Sequence, residues 1–563
     1  MSRWVCRFAA FFLSLWAPWA RSATGAEPSL LGHISFPNSG TAAAQSAFIR
    51  GVLLLHSFEY DDAIAAFREA ERVDPSFALA YWGEALSYDQ PLWYNENVEK
   101  ARAALERLGP TAGARQAKAP TAREKGYLDA VERLFGLWGG DPGASDASRS
   151  ERHRAYADRM GELSRANPGD DEAAAFYALA LLATIPEGQR HPEISLKAGA
   201  IASAILERNP QHPGAAHYAL HAYDDGEHAA MGLKAARVYA GIAPASSHAR
   251  HMPSHAFLPL GLWEEAAASD ESAYQTSVDL ARRKGLSPAQ YDFHALSWLQ
   301  YELLQQGRFE KARGLVGNID AALAASAPPT TPPARSALPG PPALPAHQHV
   351  ESEIGRGNGP LSLKSERASM RARFVVESGR WDVMKGQGSF DNVDELFALG
   401  LASVRLGDQP RAEAALEELQ RAKAAAPDDS NRRLAEVMSR QVNGLLLMSR
   451  GEKREGLAAL ASAAALEAEL PKPIARPYPI KPAGELYAEA MLASGDAAGA
   501  LRQFKASLAR TPGRAASVIG LARAAKAAGH AAEASKAARE FVAMWHLADG
   551  ERPEVAEARR LGQ

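Results

Sequence analysis

Residues 44–77 read AQSAFIRGVLLLHSFEYDDAIAAFREAERVDPSF, and this 34-residue stretch decides the fold. Small residues stand at Gly51, Ala63 and Ala70, where they would let the two helices of a helix–turn–helix unit approach closely. Pro75 would close the second helix, because proline has no N–H to donate and its ring clashes with the preceding turn. Alanine is abundant and β-branched residues are few, which favours helix over sheet throughout the chain.

The same register of small, apolar and proline positions recurs along the sequence. It recurs in units that start at Lys481 and Ala515, and more weakly in units that start near Val393, near Val437 and at residue 78. Self-similarity at this period resembles the tetratricopeptide repeat superfamily. The resemblance implies an all-α, right-handed helical solenoid that binds partners in its concave groove, and it brings no catalytic residues with it.

The chain has 563 residues, too many for one hydrophobic core, so two or more domains are expected. Residues 326–346 read SAPPTTPPARSALPGPPALPA, and proline at this density favours an extended linker over a helix. We therefore predict a tetratricopeptide-type solenoid in two blocks, residues 30–325 and 360–563, joined by a Pro-rich linker at residues 326–359.

The first 26 residues have the features of a secretory signal peptide. Arg3 and Arg7 precede an apolar run over residues 8–20, which is too short to span a bilayer comfortably, although an uncleaved anchor is the alternative. Cys6 is the only cysteine and lies inside this segment, so the mature chain would offer no thiolate ligand or nucleophile. These features predict a secreted or periplasmic protein without a membrane span after cleavage. The net charge of -3 does not favour nucleic acid.

Residues 217–255, HYALHAYDDGEHAAMGLKAARVYAGIAPASSHARHMPSH, concentrate potential metal ligands. His217 and His221 are four residues apart, as are His251 and His255, so each pair would project from one face of a helix. In the repeat register these units start at Pro213 and Ser247. In tetratricopeptide proteins, certain positions of the first helix of each unit line the concave groove. This resemblance implies that the histidines, with Asp224 and Asp225, lie on one wall of one groove. His294 and Tyr301 take groove positions in the following unit.

Imidazoles from neighbouring helices could share one ion, which would be a divalent transition metal. Neutral imidazole suits zinc, copper, iron or nickel, and added carboxylates widen the range toward manganese. His228, on the turn into the next helix, would ligate or would orient a ligand. The predicted metal ligands are His217, His221, Asp224, Asp225, His228, His248, His251 and His255. Pro253 is expected to kink its helix unless the helix starts near Met252.

The combination HxxxHxYDDxxH with HxxHMPSH also resembles a subgroup of secreted bacterial tetratricopeptide proteins, and that resemblance implies no particular activity. A binding or scaffold protein with a metal-supported groove, which would take a protein, a peptide or a small ligand, is the first hypothesis. The second is a metal-dependent enzyme in which Asp224 or Asp225 acts as a base toward metal-bound water. The third is a metal-free interaction scaffold. A zincin-type peptidase is disfavoured, because Tyr218 occupies the position of the glutamate in HExxH.

Overall fold

The protein is seen in a computed structural model that describes residues 30–137, 147–325, 360–387, 390–473 and 475–563. The predicted signal peptide, residues 1–26, and the predicted linker, residues 326–359, lie outside these ranges. The described chain is mostly helical. One short antiparallel pair of strands, β1 (Asp89–Gln90) and β2 (Asn95–Glu96), joins two helices near the N-terminus.

In the described residues before the linker there are sixteen α-helices. They are α1 (Gln45–His56), α2 (Tyr60–Val73), α3 (Ala78–Leu86), α4 (Val98–Leu108), α5 (Ala112–Gln116), α6 (Ala122–Leu134), α7 (Arg149–Ala166), α8 (Asp171–Ala183), α9 (Pro192–Arg208), α10 (Pro213–Ala222), α11 (Ala229–Ile242), α12 (Ser247–His251), α13 (Ser254–Phe257), α14 (Trp263–Lys284), α15 (Phe293–Gln305) and α16 (Phe309–Ala325).

The helices that follow the linker continue the same pattern. They are α17 (Pro360–Ser378), α18 (Val393–Leu406), α19 (Gln409–Ala424), α20 (Asp429–Ser449), α21 (Lys453–Ala468), α22 (Ala483–Ala493), α23 (Ala497–Arg510), α24 (Ala515–Ala527), α25 (Ala531–Met544) and α26 (Pro553–Gly562). Single 3₁₀ turns occur at Pro91–Trp93, Pro288–Gln290 and Trp381–Met384.

Most helices pack on the helix before and the helix after them, which makes the chain a helical solenoid. The small residues of the repeat have the predicted role. A Cβ atom added at Gly51 would lie 2.8 Å from the ring of Phe67, so only glycine lets α1 and α2 meet around this buried ring. Phe504 of α23 meets Gly520 of α24 in the same way. The predicted all-α, tetratricopeptide-type solenoid is confirmed.

The helices on the two sides of the linker also pack against each other. Phe309 of α16 contacts Trp545 edge-on, with ring centroids 5.6 Å apart, and the Trp545 Nε1–H donates to the Gln305 carbonyl at 2.9 Å. Farther along the interface, the Trp263 Nε1–H donates to the Gly513 carbonyl at 3.1 Å. The C-terminal helices therefore share a core with α14, α15 and α16.

The repeat register places the histidine-bearing helices as expected. Helix α10 starts at Pro213 and α12 starts at Ser247. The helix that contains Pro253 is divided into α12 and α13, because proline cannot donate the hydrogen bond that would join them. Met252 and Pro253 nevertheless keep right-handed helical dihedral angles, φ -51° and ψ -32° and φ -56° and ψ -30°. His251 and His255 therefore still project in a common direction.

Candidate metal centre

Six histidines on four helices of the N-terminal block form two groups. His217 and His221 project from α10, His248 and His251 from α12, His255 from α13 and His294 from α15. One group contains His217, His221 and His248, and we call it set A. The other contains His251, His255 and His294, and we call it set B. Within each set, one nitrogen from each ring lies within 4.8 Å of the other two, which is close enough for one ion.

In set A the Nε2 atoms converge. Nε2 of His217 lies 2.8 Å from Nε2 of His248 and 3.0 Å from Nε2 of His221. Nitrogen ligands that are each about 2.0–2.1 Å from one zinc-like ion lie about 3 Å apart when the bond angle is near a right angle. The spacing of set A therefore fits ligands of a shared metal ion.

Set B repeats this arrangement with the next helices. Nε2 of His251 lies 3.0 Å from Nε2 of His255 and 3.1 Å from Nε2 of His294. The sets also adjoin each other. The ring centroids of His221 and His255 are 6.4 Å apart, and those of His248 and His251 are 6.5 Å apart. The structure thus brings two three-histidine sites side by side.

The other ring nitrogen of three histidines is held by an oxygen acceptor. Nδ1 of His217 lies 2.6 Å from the carbonyl oxygen of His56. Nδ1 of His255 lies 2.8 Å from Oδ2 of Asp224, and Nδ1 of His251 lies 2.5 Å from Oδ1 of Asp270. A carbonyl oxygen accepts, which puts the proton on Nδ1 of His217, and an ionised carboxylate does the same for His255 and His251. Burial raises the pKa of Asp270 to about 8, so the proton lies on Nδ1 of His251 when Asp270 is ionised.

This tautomer leaves a lone pair on Nε2 of each neutral ring. The Nε2 atoms of His251 and His255 then direct two lone pairs at each other across 3.0 Å. Two lone pairs repel unless a cation or an additional proton lies between them. Hydrogen bonding of the far ring nitrogen to a carboxylate or carbonyl is also the usual support of a metal-binding histidine.

Burial and charge favour the neutral form of His217 in set A. Burial lowers the pKa of His217 well below its usual value of 6.5, and the neighbouring His221 lowers it further. Neutral imidazole is the form that binds a metal ion. The His217 ring is therefore held in its ligating form.

Aromatic rings enclose both sets. Phe58 stacks on His221 and on His248, each with ring centroids 5.6 Å apart, and Trp93 meets His248 edge-on. Trp298 stacks on His255 with centroids 4.6 Å apart and meets His251 edge-on at 5.0 Å. Four of the six histidines are buried, whereas His221 and His294 are partly exposed and form the edge that faces solvent.

The acidic residues that the sequence suggested as ligands have other partners. Asp224 contacts Nδ1 of His255, so it supports a ring of set B. Asp225 accepts from Nδ1 of His228 at 2.8 Å and from the backbone N–H groups of Glu227 and His228. Burial raises the pKa of Asp225, but the hydrogen bonds from His228 outweigh it and leave the pKa lowered. The structure does not bring Asp225 and His228 together with either set.

Two residues of the site were not among the predicted ligands. The register places His294 at a groove position of the following unit, but it lies far along the sequence from the other histidines. Helix α14 separates it from His255 in the chain, and His294 reaches set B from α15. Asp270 lies on α14, outside the groove helices, and no local spacing relates it to His251.

A buried polar cluster lies behind set A. Glu172 accepts from Nε2 of His56 at 2.7 Å and lies 3.3 Å from Nε2 of His212. Burial would raise the pKa of Glu172, but His212 and His56 lower it to about 2. The ring of His56 is thereby fixed, and its backbone carbonyl accepts from His217. The Glu172 carboxylate thus supports set A indirectly, through His56.

A fourth polar group lies near the strands. His153 is buried 3.5 Å from Asp89 and 3.7 Å from Glu96, and Arg152 pairs with Glu96. Burial lowers the pKa of His153, but Asp89 and Glu96 raise it above its usual value. These residues also satisfy the spacing of a metal site. The arginine already compensates part of the carboxylate charge, so the group is adequately explained as an ion-pair network.

The known proteins that this chain matches are similar to it in fold alone. No family model matches the sequence, and no curated protein matches it. Solved structures of tetratricopeptide proteins do match. Yeast Tom70 is 12% identical, with 92% of this chain and 95% of that chain covered and a TM-score of 0.28. A human IFIT1 dimer with PPP-AAAA is 11% identical, with 89% of each chain covered and a TM-score of 0.30.

A third match is a tetratricopeptide repeat protein from Parabacteroides merdae, 14% identical over 56% of this chain and 98% of that chain, with a TM-score of 0.28. These are likenesses of fold alone, and the described helices of this chain form an all-α helical solenoid. Among the helices that the structure describes, none combines the length and the apolar character needed to cross a bilayer.

Proposed function

We propose that the protein is a tetratricopeptide-type metalloprotein that binds two adjacent transition metal ions. Set A, formed by His217, His221 and His248, binds one ion, and set B, formed by His251, His255 and His294, binds the other. The observation that carries the proposal is the contact of His251 with His255. Their Nε2 atoms are 3.0 Å apart while carboxylates hold both Nδ1 atoms.

The ligand chemistry narrows the choice of ion. In the described part of the chain, the groups that converge on each site are imidazoles alone. Imidazole suits copper, zinc, iron and nickel, and affinity for nitrogen sites rises to a maximum at copper. The burial of four of the rings keeps water from competing for them. The all-imidazole sets favour these ions over manganese, calcium or magnesium.

Metal analysis of purified protein tests the proposal. Protein purified without chelator and titrated with copper or zinc is expected to bind two ions per chain. His221→Ala removes a ligand of set A and His294→Ala removes a ligand of set B, and each should lose one ion. His228→Ala is the matched control, because His228 pairs with Asp225 outside both sets. A protein that binds no transition metal tightly, or whose control variant loses metal as readily, contradicts the proposal.

The two aspartates next to the histidines each hold a histidine ring. Asp224 accepts from His255 and Asp225 accepts from His228. These contacts support a role in orienting side chains. If metal analysis finds no bound ion, the favoured function is that of a metal-free scaffold that binds a protein or peptide in the groove.

We also propose that the protein works outside the cytoplasm. The support is the N-terminal segment, in which Arg3 and Arg7 precede the apolar run at residues 8–20. Expression of the full chain in a Gram-negative host, followed by osmotic shock and N-terminal sequencing, tests this. A mature N-terminus near residue 27 in the periplasmic fraction is expected, and retention of the uncleaved chain in the cytoplasm or membrane would overturn it.

A further inference from the structure

We propose that the two ions are copper and that the reduced copper pair binds dioxygen between set A and set B. This inference rests on the proposed two-metal site and adds the ligand that the site would take. Its basis is a combination of three features. The ligands are all imidazole, the two sets lie side by side, and aromatic rings cover them.

The charge of the site favours copper(I) as the resting ion. The six imidazole ligands bring no charge of their own, and the nearest acidic groups are Asp224 and Asp270, which contact the far ring nitrogens of His255 and His251. A pair of copper(I) ions brings two positive charges, whereas a pair of divalent ions brings four. Removing charge from water is costly, and the cost rises with the charge. His217, His248, His251 and His255 are all buried, so the lower charge is the better match for this location.

The coordination leaves room for a bridging ligand. Three protein ligands to an ion leave a further coordination position open, as in catalytic metal sites. The ring centroids of His221 and His255 are 6.4 Å apart, and those of His248 and His251 are 6.5 Å apart. The two ions would therefore be neighbours, and their open coordination positions would lie in the same region. A diatomic molecule that bonds to both ions fits this arrangement better than two separate ligands do.

The aromatic side chains around the two sets suit a small apolar molecule such as dioxygen. Phe58 covers His221 and His248, and Trp298 covers His255. The partly exposed rings of His221 and His294 mark the side from which a small molecule would enter. Aromatic walls exclude water, which limits hydrolysis and loss of a reactive bound species.

The binding step balances without another reactant. Each copper(I) transfers one electron to dioxygen, which becomes peroxide bound to two copper(II) ions, and the O–O bond remains intact. No proton is consumed, and the reverse step returns dioxygen and copper(I). Copper supports such one-electron and dioxygen chemistry, whereas zinc has no redox chemistry.

Anaerobic loading followed by exposure to dioxygen tests the inference. Metal-free full-length protein is loaded with copper(I) without oxygen, and bound copper is measured first. On exposure to dioxygen we expect a strong new near-ultraviolet absorption band, uptake of one dioxygen per copper pair, and no electron paramagnetic resonance signal from the coupled copper(II) ions. Removal of the gas should reverse the band.

The variants separate this inference from the two-metal proposal. His294→Ala should keep the copper of set A and lose the dioxygen band, and His228→Ala should behave as the unaltered protein. Protein loaded with zinc should show no band. If two copper(I) ions bind but dioxygen is not taken up, the dioxygen inference is wrong and the two-metal site stands. If no copper or zinc binds, both are wrong.

Discussion

Oδ2 of Asp224 accepts a hydrogen bond from Nδ1 of His255 at 2.8 Å, and this contact turns Nε2 of the same ring toward His251. Asp224 is on the segment that follows α10 and His255 is on α13, so the bond connects two neighbouring repeats. The carboxylate makes the imidazole a better electron donor and limits its rotation. Its contribution can be measured as metal affinity.

Asp224→Asn is expected to weaken metal binding at set B by about 10- to 100-fold, the usual effect of losing a carboxylate that supports a histidine ligand. Binding at set A should change little, since its histidines have other supports. Calorimetric titration with zinc checks the two affinities separately. Asp225→Asn is the control, because Asp225 pairs with His228. Equal effects of the two substitutions would contradict the assignment of Asp224.

Trp298 should report on occupancy of set B. Its ring stacks on His255 and meets His251 edge-on, so a copper(II) ion bound to these rings would quench its fluorescence. We expect Trp298→Phe to remove a large part of the quenching that copper(II) causes in the unaltered protein. Trp381→Phe, in the C-terminal block, should leave the quenching nearly unchanged. Undiminished quenching in Trp298→Phe would place the bound copper elsewhere.

Gly51→Ala should destabilise the N-terminal block. The added Cβ would lie 2.8 Å from the Phe67 ring, which is buried and has little space to move. Overpacking of this kind costs about 1–3 kcal/mol in the free energy of unfolding. Gly314→Ala, in α16, meets no atom within 4 Å and should stabilise the protein by about 0.5–1 kcal/mol. Urea denaturation measures both, and opposite signs are expected.

Glu485 should make stability depend on pH in the C-terminal block. Burial would raise its pKa, but Arg514 and Lys481 lower it from 4.5 to about 2. A lowered folded-state pKa stabilises the fold above the unfolded value, and this stability is lost as the pH falls from about 4.5 to about 2. Glu485→Gln should lose this part of the pH dependence, and at neutral pH it should be less stable by about 3–5 kcal/mol, the usual effect of breaking a buried pair.

Thermal unfolding at a series of pH values measures the effect of Glu485→Gln. The matched control is Glu469→Gln, which removes an exposed carboxylate paired with Arg433. Exposed pairs contribute about 0–1 kcal/mol, so this variant should follow the unaltered protein at every pH. If the unfolding temperature of Glu485→Gln falls with acid as steeply as that of the unaltered protein, the buried pair is not the cause.

Much of the fold could be predicted because the repeat is a local pattern. The small residue at Gly51, the aromatic at Phe67 and the proline at Pro75 lie within one unit, and each acts on its nearest neighbours. The same register correctly placed the starts of α10 and α12. No local sequence pattern predicts the contact of Trp545 with Phe309, because it joins residues far apart in sequence.

Part of the candidate site could be predicted from the same register. Spacings of three and four residues put His217 with His221 and His251 with His255, since such residues share a helix face. The division into two sets did not follow from spacing. His248 and His251 are one turn apart on the same helix, yet their Nε2 atoms turn to different sets.

The order of residues along the chain was enough to specify the helices and the turns between them, because these depend on interactions within a turn or a repeat. The direction of each ring depended on packing between repeats. Asp270 reaches His251 from α14, and Asp224 reaches His255 instead of an ion, through contacts that no local period encodes. A metal centre requires atoms to be positioned within a fraction of an ångström, and only side-chain packing in three dimensions provides that.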